Sequence, residues 1–253
     1  MLRLPSHSRY RSFMPRREKL HPDLLLCETC GYRLDDIAPN LPCPECGTPV
    51  AASLPSQRPG SRWQRKPGPI AYIATNWATV RRPIKRWRVV TPRPTTGLLA
   101  LNCFLIGAAL AIGLGAPSLL DGFDQEILGI SGLTILAAPF VLFSLSKIEA
   151  MGLRILGARN GWRTTKEVSN AIVAHASIGW LLSFPALVAE IVYFRTINFP
   201  TALAWISAPW WWEAIAWGFA PLVGLFGFEL LAWLGWRQMK FANRAGRNPE
   251  EGV

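Results

Sequence analysis

The chain has 253 residues with 27 Lys/Arg against 16 Asp/Glu, a formal net charge of +11, and half of its residues are hydrophobic. Basic and Pro-rich sequence fills the first third, whereas long apolar blocks with short polar breaks fill the rest. This segregation excludes a single soluble domain, and it is typical of a membrane protein that carries a basic segment beside the bilayer.

The N-terminal part begins with a basic tail, residues 1–23, that shows no hydrophobic periodicity. Residues 24–50 then contain two C-x₂-C pairs, Cys27 with Cys30 and Cys43 with Cys46. This spacing lets four thiolates converge on one ion in the tetrahedral geometry that zinc prefers, and the four sulfurs close its coordination sphere. The pattern predicts one structural zinc ion whose binding stabilises a module too small for its own core.

The two pairs, each followed by glycine, resemble the knuckles of the zinc-ribbon family. The motifs Cys-Glu-Thr-Cys-Gly-Tyr and Cys-Pro-Glu-Cys-Gly are also similar to the knuckles of rubredoxins, which hold iron. The loop between the knuckles is shorter than in rubredoxins, which favours zinc, and metal analysis decides between the two ions. A very distant likeness of the following membrane domain to Yip1-type membrane domains is a further resemblance.

Residues 51–96 are predicted to be a basic linker, with no Asp or Glu from residue 54 onward. Within it, an amphipathic helix is expected near 69–82, because Ile70, Ile73, Trp77 and Val80 recur at helical spacing. We expect this helix to lie on a membrane surface with anionic headgroups. The residues assigned to that surface are Trp77, Arg81, Arg82, Lys85, Arg86, Trp87 and Arg88. The competing interpretation is a nucleic-acid patch with interleaved stacking tryptophans.

Residues 97–236 are predicted to form a mainly α, four-helix transmembrane bundle, with spans near 97–118, 127–146, 170–194 and 214–236. The loops after the first and third spans lack an excess of Lys/Arg, whereas the second loop and the tail 237–253 are basic. The positive-inside rule therefore predicts that both termini and the ribbon are cytoplasmic, in a bacterial inner membrane. The Trp-rich segment 200–213 is too short for a span and is predicted to be interfacial, with a re-entrant segment as the alternative.

Two polar residues inside the predicted spans, His175 and Glu229, lie at similar depths from the cytoplasmic side. Ionisable groups in a membrane need polar partners, so a hydrogen bond between this pair is expected to pin two helices together. A proton relay or an ion site is the functional alternative.

Catalytic motifs such as a zincin helix, a nucleophile elbow or a P-loop are missing from the sequence. The sequence therefore predicts a non-enzymatic membrane protein whose ribbon docks an unidentified protein partner. The alternatives are a small transporter or channel that uses His175 and Glu229, and a membrane-tethered nucleic-acid-binding ribbon. Homodimerisation remains open at this point.

Overall fold

The computed structural model describes residues 24–93, 95–121, 125–196 and 210–243; for 115–121, 125–131, 194–196 and 210–217 it describes the backbone alone. The basic tail 1–23, most of the segment 200–213 and the end of the C-terminal tail lie outside the described residues.

Helices make up most of the described chain, and the only β-structure there is two isolated bridges in the ribbon. The predicted mainly α fold is thus confirmed for this part of the protein. A 3-10 segment, Ser177–Leu182, joins the sixth and seventh helices. The helices are α1 Arg62–Arg65, α2 Pro69–Arg81, α3 Pro83–Val89, α4 Thr96–Asp121, α5 Gln125–Arg159, α6 Lys166–Ala176, α7 Ser183–Thr196 and α8 Trp210–Met239.

Four segments of the described chain are long and apolar enough to cross a membrane, as the sequence predicts. They are Thr96–Leu114, Gly132–Arg159, Lys166–Tyr193 and Gly218–Met239. The third is the central one, because 72% of its most apolar window is buried against 17% to 39% in the other three. The other spans therefore surround it and leave apolar faces outward.

Two boundaries differ from the sequence-based expectation. Helix α5 continues to Arg159, so Lys147 and Arg154 lie on a helix rather than in a loop, and the turn before α6 is short. The residues from Trp210 to Glu213 belong to the first turn of α8. Charged residues near a span end leave helix geometry intact because long side chains reach water from the helix surface.

The third and fourth spans cross with their backbones in contact. A Cβ atom added to Gly179 would lie 2.5 Å from the carbonyl carbon of Gly227, a separation that only glycine allows. Next to this crossing, the rings of Trp180 and Phe228 stack with centroids 5.0 Å apart. Small residues at a crossing of this kind are the usual means by which membrane helices approach closely.

The segment predicted as a linker is folded between the ribbon and the bundle. Ser61 and Gln64 form a capping box that fixes α1, and prolines occupy the first positions of α2 and α3, where their missing N–H costs nothing. The α3 residue Trp87 is fully buried, and its indole packs against Gly235 of α8. These contacts attach residues 61–89 to the fourth span.

We expect Gly179→Ala to destabilise the bundle by about 1–3 kcal/mol, because the new methyl group must displace the backbone of α8. The matched control is Gly132→Ala, where a Cβ meets nothing within 4 Å. Thermal unfolding of the two purified variants in the same detergent measures the difference. Equal midpoints for both variants would contradict the close crossing.

Candidate metal centre and its attachment to the membrane helices

The two knuckles of the ribbon repeat the same backbone turn sixteen residues apart. In the first, the N–H of Cys27 donates to the carbonyl of Tyr32 and that of Gly31 donates to Cys27, both at 2.8 Å. Cys43 and Gly47 make the equivalent two bonds in the second knuckle, also at 2.8 Å. The two glycines have φ of 83° and 71°, a region that glycine enters without steric cost. The glycine after the second cysteine of each knuckle thus holds a backbone conformation that other residues rarely adopt.

This geometry brings the four cysteine sulfurs together. All four Sγ atoms lie within 4.8 Å of one another; Cys27 and Cys46 are 3.5 Å apart, and Cys30 and Cys43 are 3.7 Å apart. Sulfurs at the corners of a zinc tetrahedron are about 3.8 Å apart when each Zn–S bond is about 2.3 Å. A disulfide would need about 2.05 Å. The cluster therefore fits one tetrahedral ion, as in a zinc ribbon.

The protonation of the cluster differs from one sulfur to another. Desolvation and the neighbouring thiols raise the pKa of Cys30 to about 12, although a backbone N–H opposes this shift. The side-chain hydroxyl and the backbone N–H of Thr48 lower the pKa of Cys46 to about 6. Since metal ligation requires thiolates, a bound cation must drive proton release from this site.

The chemistry of the donor set favours a structural ion. Four sulfur ligands suit zinc, and they suit iron in the same geometry. Every coordination position is taken by protein, so no place is left for the water or substrate that a catalytic zinc binds.

We expect purified protein to contain about one zinc ion per chain and Cys43→Ser to lose it, because three sulfurs no longer complete the tetrahedron. The control is Cys103→Ser, which removes the buried fifth cysteine of α4. Elemental analysis of the full chain in detergent measures both. Iron in stoichiometric amount, or zinc retained by Cys43→Ser at the wild-type level, would contradict this assignment.

A buried ion pair attaches the first knuckle to the rest of the protein. Glu28, between Cys27 and Cys30, accepts two hydrogen bonds from Arg58, at 2.7 Å from Nε and 2.8 Å from Nη2. The Arg58 residue is only 4% exposed. Its remaining N–H groups donate to the carbonyls of Trp87, Val90 and Gln238. One guanidinium thus bonds the ribbon, the segment around α3 and the end of α8.

Asn243, just beyond α8, makes a second attachment. Its side chain accepts from the N–H of Leu26 at 3.0 Å and donates to the carbonyls of Leu26 and Ser53 at 2.7 and 2.6 Å. Its backbone N–H donates to Glu28 Oε1 at 3.1 Å. Asn243 therefore satisfies backbone groups of the ribbon that are buried from water.

Arg163, in the turn between α5 and α6, completes this junction. Its guanidinium donates to the side chain of Asn243, to the carbonyl of Ala242 at 2.9 Å and to the carbonyl of Leu24. The Phe241 ring covers Gly31 so closely that a Cβ on Gly31 would lie 2.7 Å from it. We call Glu28, Arg58, Arg163 and Asn243 the junction cluster.

Sequence reasoning missed the junction cluster. Arg58 and Arg163 counted only as charges in a linker and a loop, and Asn243 lay in a predicted tail. Glu28 offered one signal of a contact with a basic residue, since it is an acid inside a knuckle whose four metal ligands are all cysteines. Its partner could not be identified, because the contacts join residues 30 and 215 positions apart.

The predicted intramembrane pair is not joined. His175 is fully buried, its Nδ1 is 2.8 Å from the carbonyl of Ala171, and its Nε2 has no hydrogen-bond partner. The ring packs edge-on against Trp87 with centroids 5.9 Å apart. Neither ring nitrogen is bonded to Glu229 of α8. The two expected partners face different surroundings, because α8 turns Phe228 rather than Glu229 toward the core.

The predicted surface residues divide into two groups. Trp87 is buried and so is not available to lipid or to nucleic acid, and Arg86 is half-buried. The other members are exposed: Trp77, Arg81, Arg82, Lys85 and Arg88. Burial of the Trp87 indole follows from the gap that Gly235 leaves on α8.

The apolar and polar faces of α2 are reversed relative to a helix of a soluble protein. Its predicted stripe points outward, and Ile70 and Trp77 are 78% and 62% exposed. Its buried residues are polar: Thr75, Asn76 and Thr79. The Asn76 amide donates to Asn102 of α4, which in turn donates to Ser177 of the 3-10 segment.

Comparisons with known proteins found no matching family model, no similar curated protein and no similar solved structure. The resemblance to Yip1-type membrane domains therefore has no support beyond the sequence impression. The zinc-ribbon resemblance is supported by the cysteine geometry itself.

We expect Glu28→Gln to lower the stability of the protein by about 3 kcal/mol, because it leaves the buried Arg58 charge without its counter-ion. Glu45→Gln, an exposed acid of the second knuckle, is the matched control and should change little. Thermal unfolding in detergent measures both. Zinc content should stay at the wild-type level in Glu28→Gln, since Glu28 is not a ligand; a loss of zinc there would contradict the proposed role.

Proposed function

We propose that this protein is a non-enzymatic integral membrane protein that displays a zinc ribbon, rigidly oriented, as a docking module for a cytosolic or membrane protein partner. The observation that supports it best is the junction cluster. A ribbon fixed by buried hydrogen bonds presents a defined surface at a fixed height above the bundle, which a flexible tether does not.

The surface available to a partner is the side of the ribbon away from the junction cluster. Phe241 and Asn243 cover Gly31 and Leu26 beside the first knuckle, whereas the second knuckle is exposed from Pro44 to Gly47. Two large hydrophobic residues of the ribbon are exposed to solvent, Tyr32 at 39% and Leu41 at 48%. Exposed apolar residues on a small rigid module are typical of a protein-binding surface.

Loop charges support a cytoplasmic position for the ribbon. The acidic turn after the first span and the basic residues around Lys147–Lys166 and at the end of α8 follow the positive-inside rule. The thiolates of the centre also require the reducing compartment that this orientation gives them. We therefore place the ribbon and both termini on the cytoplasmic side of a bacterial inner membrane.

The outward apolar face of α2 supports an interfacial position for that helix. Exposed Ile70, Ile73, Trp77 and Val80 are followed by exposed basic residues, the arrangement of a helix that lies at the headgroup level. The same charges could attract nucleic acid, but the burial of Trp87 removes a stacking group from that alternative.

The transport alternative depends on His175 and Glu229, and the contacts described above give it little basis. His175 is sealed between Trp87 and its own helix, and no polar chain links it to Glu229 in the described part of the protein. A proton or ion pathway needs successive polar groups.

The docking proposal predicts that a photo-crosslinking amino acid at Leu41 gives one discrete adduct in intact membranes. The same group at the equally exposed Lys85 of α3 should not give that adduct, and Cys43→Ser should abolish it by unfolding the ribbon. Mass spectrometry of the adduct identifies the partner. An adduct of twice the chain mass would make the partner a second copy.

Absence of any Leu41 adduct, or an adduct that survives Cys43→Ser undiminished, would contradict a folded ribbon as the docking surface. The Glu28→Gln variant adds a graded test, because it loosens the orientation of the ribbon while keeping the metal. We expect a weaker adduct from it than from Glu45→Gln.

A further inference from the structure

A cavity of about 570 Å³ opens between α1 and the start of α2. Its walls include three basic residues, Arg62, Arg65 and Lys66, followed by residues 67–71, and no acidic residue lines it. None of the three cations forms an ion pair with another described residue. The cavity thus gathers positive charge without a counter-ion from the protein.

The local fold fixes the backbone that carries these exposed cations. Ser61 Oγ accepts from the N–H of Gln64 at 3.0 Å, and Gln64 Oε1 accepts from the N–H of Ser61 at 2.9 Å. The Gln64 amide also donates to the carbonyl of Thr91 at 2.7 Å. Since α1 is held at both its start and its side, the Arg62 and Arg65 backbones stay at the cavity rim.

Arg86 of α3 does not line the cavity, but two of its donors lack an acceptor. Its Nε and Nη2 atoms are buried and have no hydrogen-bond acceptor among the described residues. Burial, together with the charges of Arg65 and Arg62, lowers its pKa to about 10, so this guanidinium lies in the field of the cavity cations. Buried guanidinium N–H groups without an acceptor are rare and call for a bound anion or water.

The start of α2 adds donors on the opposite wall. Pro69 has no N–H, and the first turn has no side-chain cap, so the N–H groups of Ile70 and Ala71 have no partner within the helix. The positive end of the helix dipole points the same way. Cationic side chains and backbone donors thus line one cavity, which is the donor set that a phosphate needs.

The surroundings of the cavity are apolar and lie where the first span begins. The Trp63 ring lies beside Gly97, the second residue of α4, since a Cβ added there would be 3.7 Å from it. The backbone N–H of Trp63 donates to the hydroxyl of Thr75 in α2. Ile70, a cavity residue, and Ile73, one turn later, turn outward at 78% and 66% exposure. A ligand here therefore meets cations at one end and an exposed hydrophobic strip at the other.

We propose that this cavity binds the phosphate of one anionic glycerophospholipid, with its acyl chains along Ile70 and Ile73. The proposal rests on the interfacial position of α2 put forward above, but it does not involve the ribbon or its partner. It assigns the charges of this region to a specific lipid site rather than to a diffuse basic surface.

Native mass spectrometry of the purified full chain in a neutral detergent tests the proposal. With phosphatidylglycerol titrated in, we expect one molecule to be retained at the lowest concentrations. The combined variant Arg62→Gln, Arg65→Gln, Lys66→Gln should weaken retention about tenfold or more, since each charge-assisted bond contributes strongly. The matched control Arg81→Gln, Arg82→Gln, Lys85→Gln removes equal charge from the end of α2 and the start of α3, and it should retain the lipid.

A second pair of variants tests the site without loss of cations. A Cβ on Gly68 meets nothing within 4 Å, so Gly68→Asp and Gly68→Ser both fit, and both residues are good N-caps for α2. Gly68→Asp places a carboxylate on the cavity wall and should weaken phosphatidylglycerol retention, whereas Gly68→Ser should not. Equal helix capping in the two variants removes folding as the cause.

Three further results would overturn the lipid site. Equal loss of phosphatidylglycerol retention in the two triple variants would show that binding depends on overall positive charge and not on this cavity. Retention of phosphatidylcholine equal to that of phosphatidylglycerol would show that the site does not select an anionic headgroup. Displacement by inorganic phosphate or glycerol 3-phosphate at concentrations matching the lipid would make the ligand a soluble phosphate. The two proposals can fail separately. If the Leu41 crosslink is absent while phosphatidylglycerol is still retained, only the docking proposal fails.

Discussion

The guanidinium of Arg58 constrains the arrangement of three distant parts of the chain. Arginine stays charged even when buried, so each of its N–H groups requires an acceptor. Glu28 of the ribbon, the carbonyls around α3 and the carbonyl of Gln238 supply those acceptors from different directions. Because removal of any one of them leaves a buried donor or charge, the ribbon, the basic segment and the fourth span take up one mutual geometry.

The reversed faces of α2 support the interfacial position proposed for that helix. In water, outward Ile70 and Trp77 with inward Asn76 would be unfavourable. In the interfacial position proposed for α2, the apolar side chains would lie against lipid, while Asn76 bonds to Asn102, which bonds to Ser177. The polar contacts orient the helix within the protein.

The sequence predicted those features that depend on local spacing. The two C-x₂-C pairs predicted the four-cysteine cluster, and the length of the apolar runs predicted four candidate spans. The period of Ile70, Ile73 and Trp77 predicted the apolar face of α2. Each of these signals lies within about 20 residues of sequence.

The features that sequence reasoning missed depend on partners far apart in the chain. A tryptophan among arginines has the composition of a surface segment, and only the space above Gly235 makes Trp87 a core residue. Counting residues along the spans predicted that His175 and Glu229 lie at the same depth. It could not predict which side of its helix each residue faces. Two helices that cross at Gly179 and Gly227 turn Phe228 inward, and Glu229 makes no hydrogen bond to His175.

The contact between Leu26 and Asn243 also affects the order of folding during synthesis, because 217 positions separate these residues. A ribbon can take up its metal as soon as residue 46 has left the ribosome, whereas Asn243 emerges only after all four spans have been made. Until then, the carbonyls of Leu26 and Ser53 have water in place of their final donor. Synthesis of the chain as far as Asn243 is therefore the event that supplies the last donor to the underside of the ribbon, and a shorter nascent chain lacks this contact.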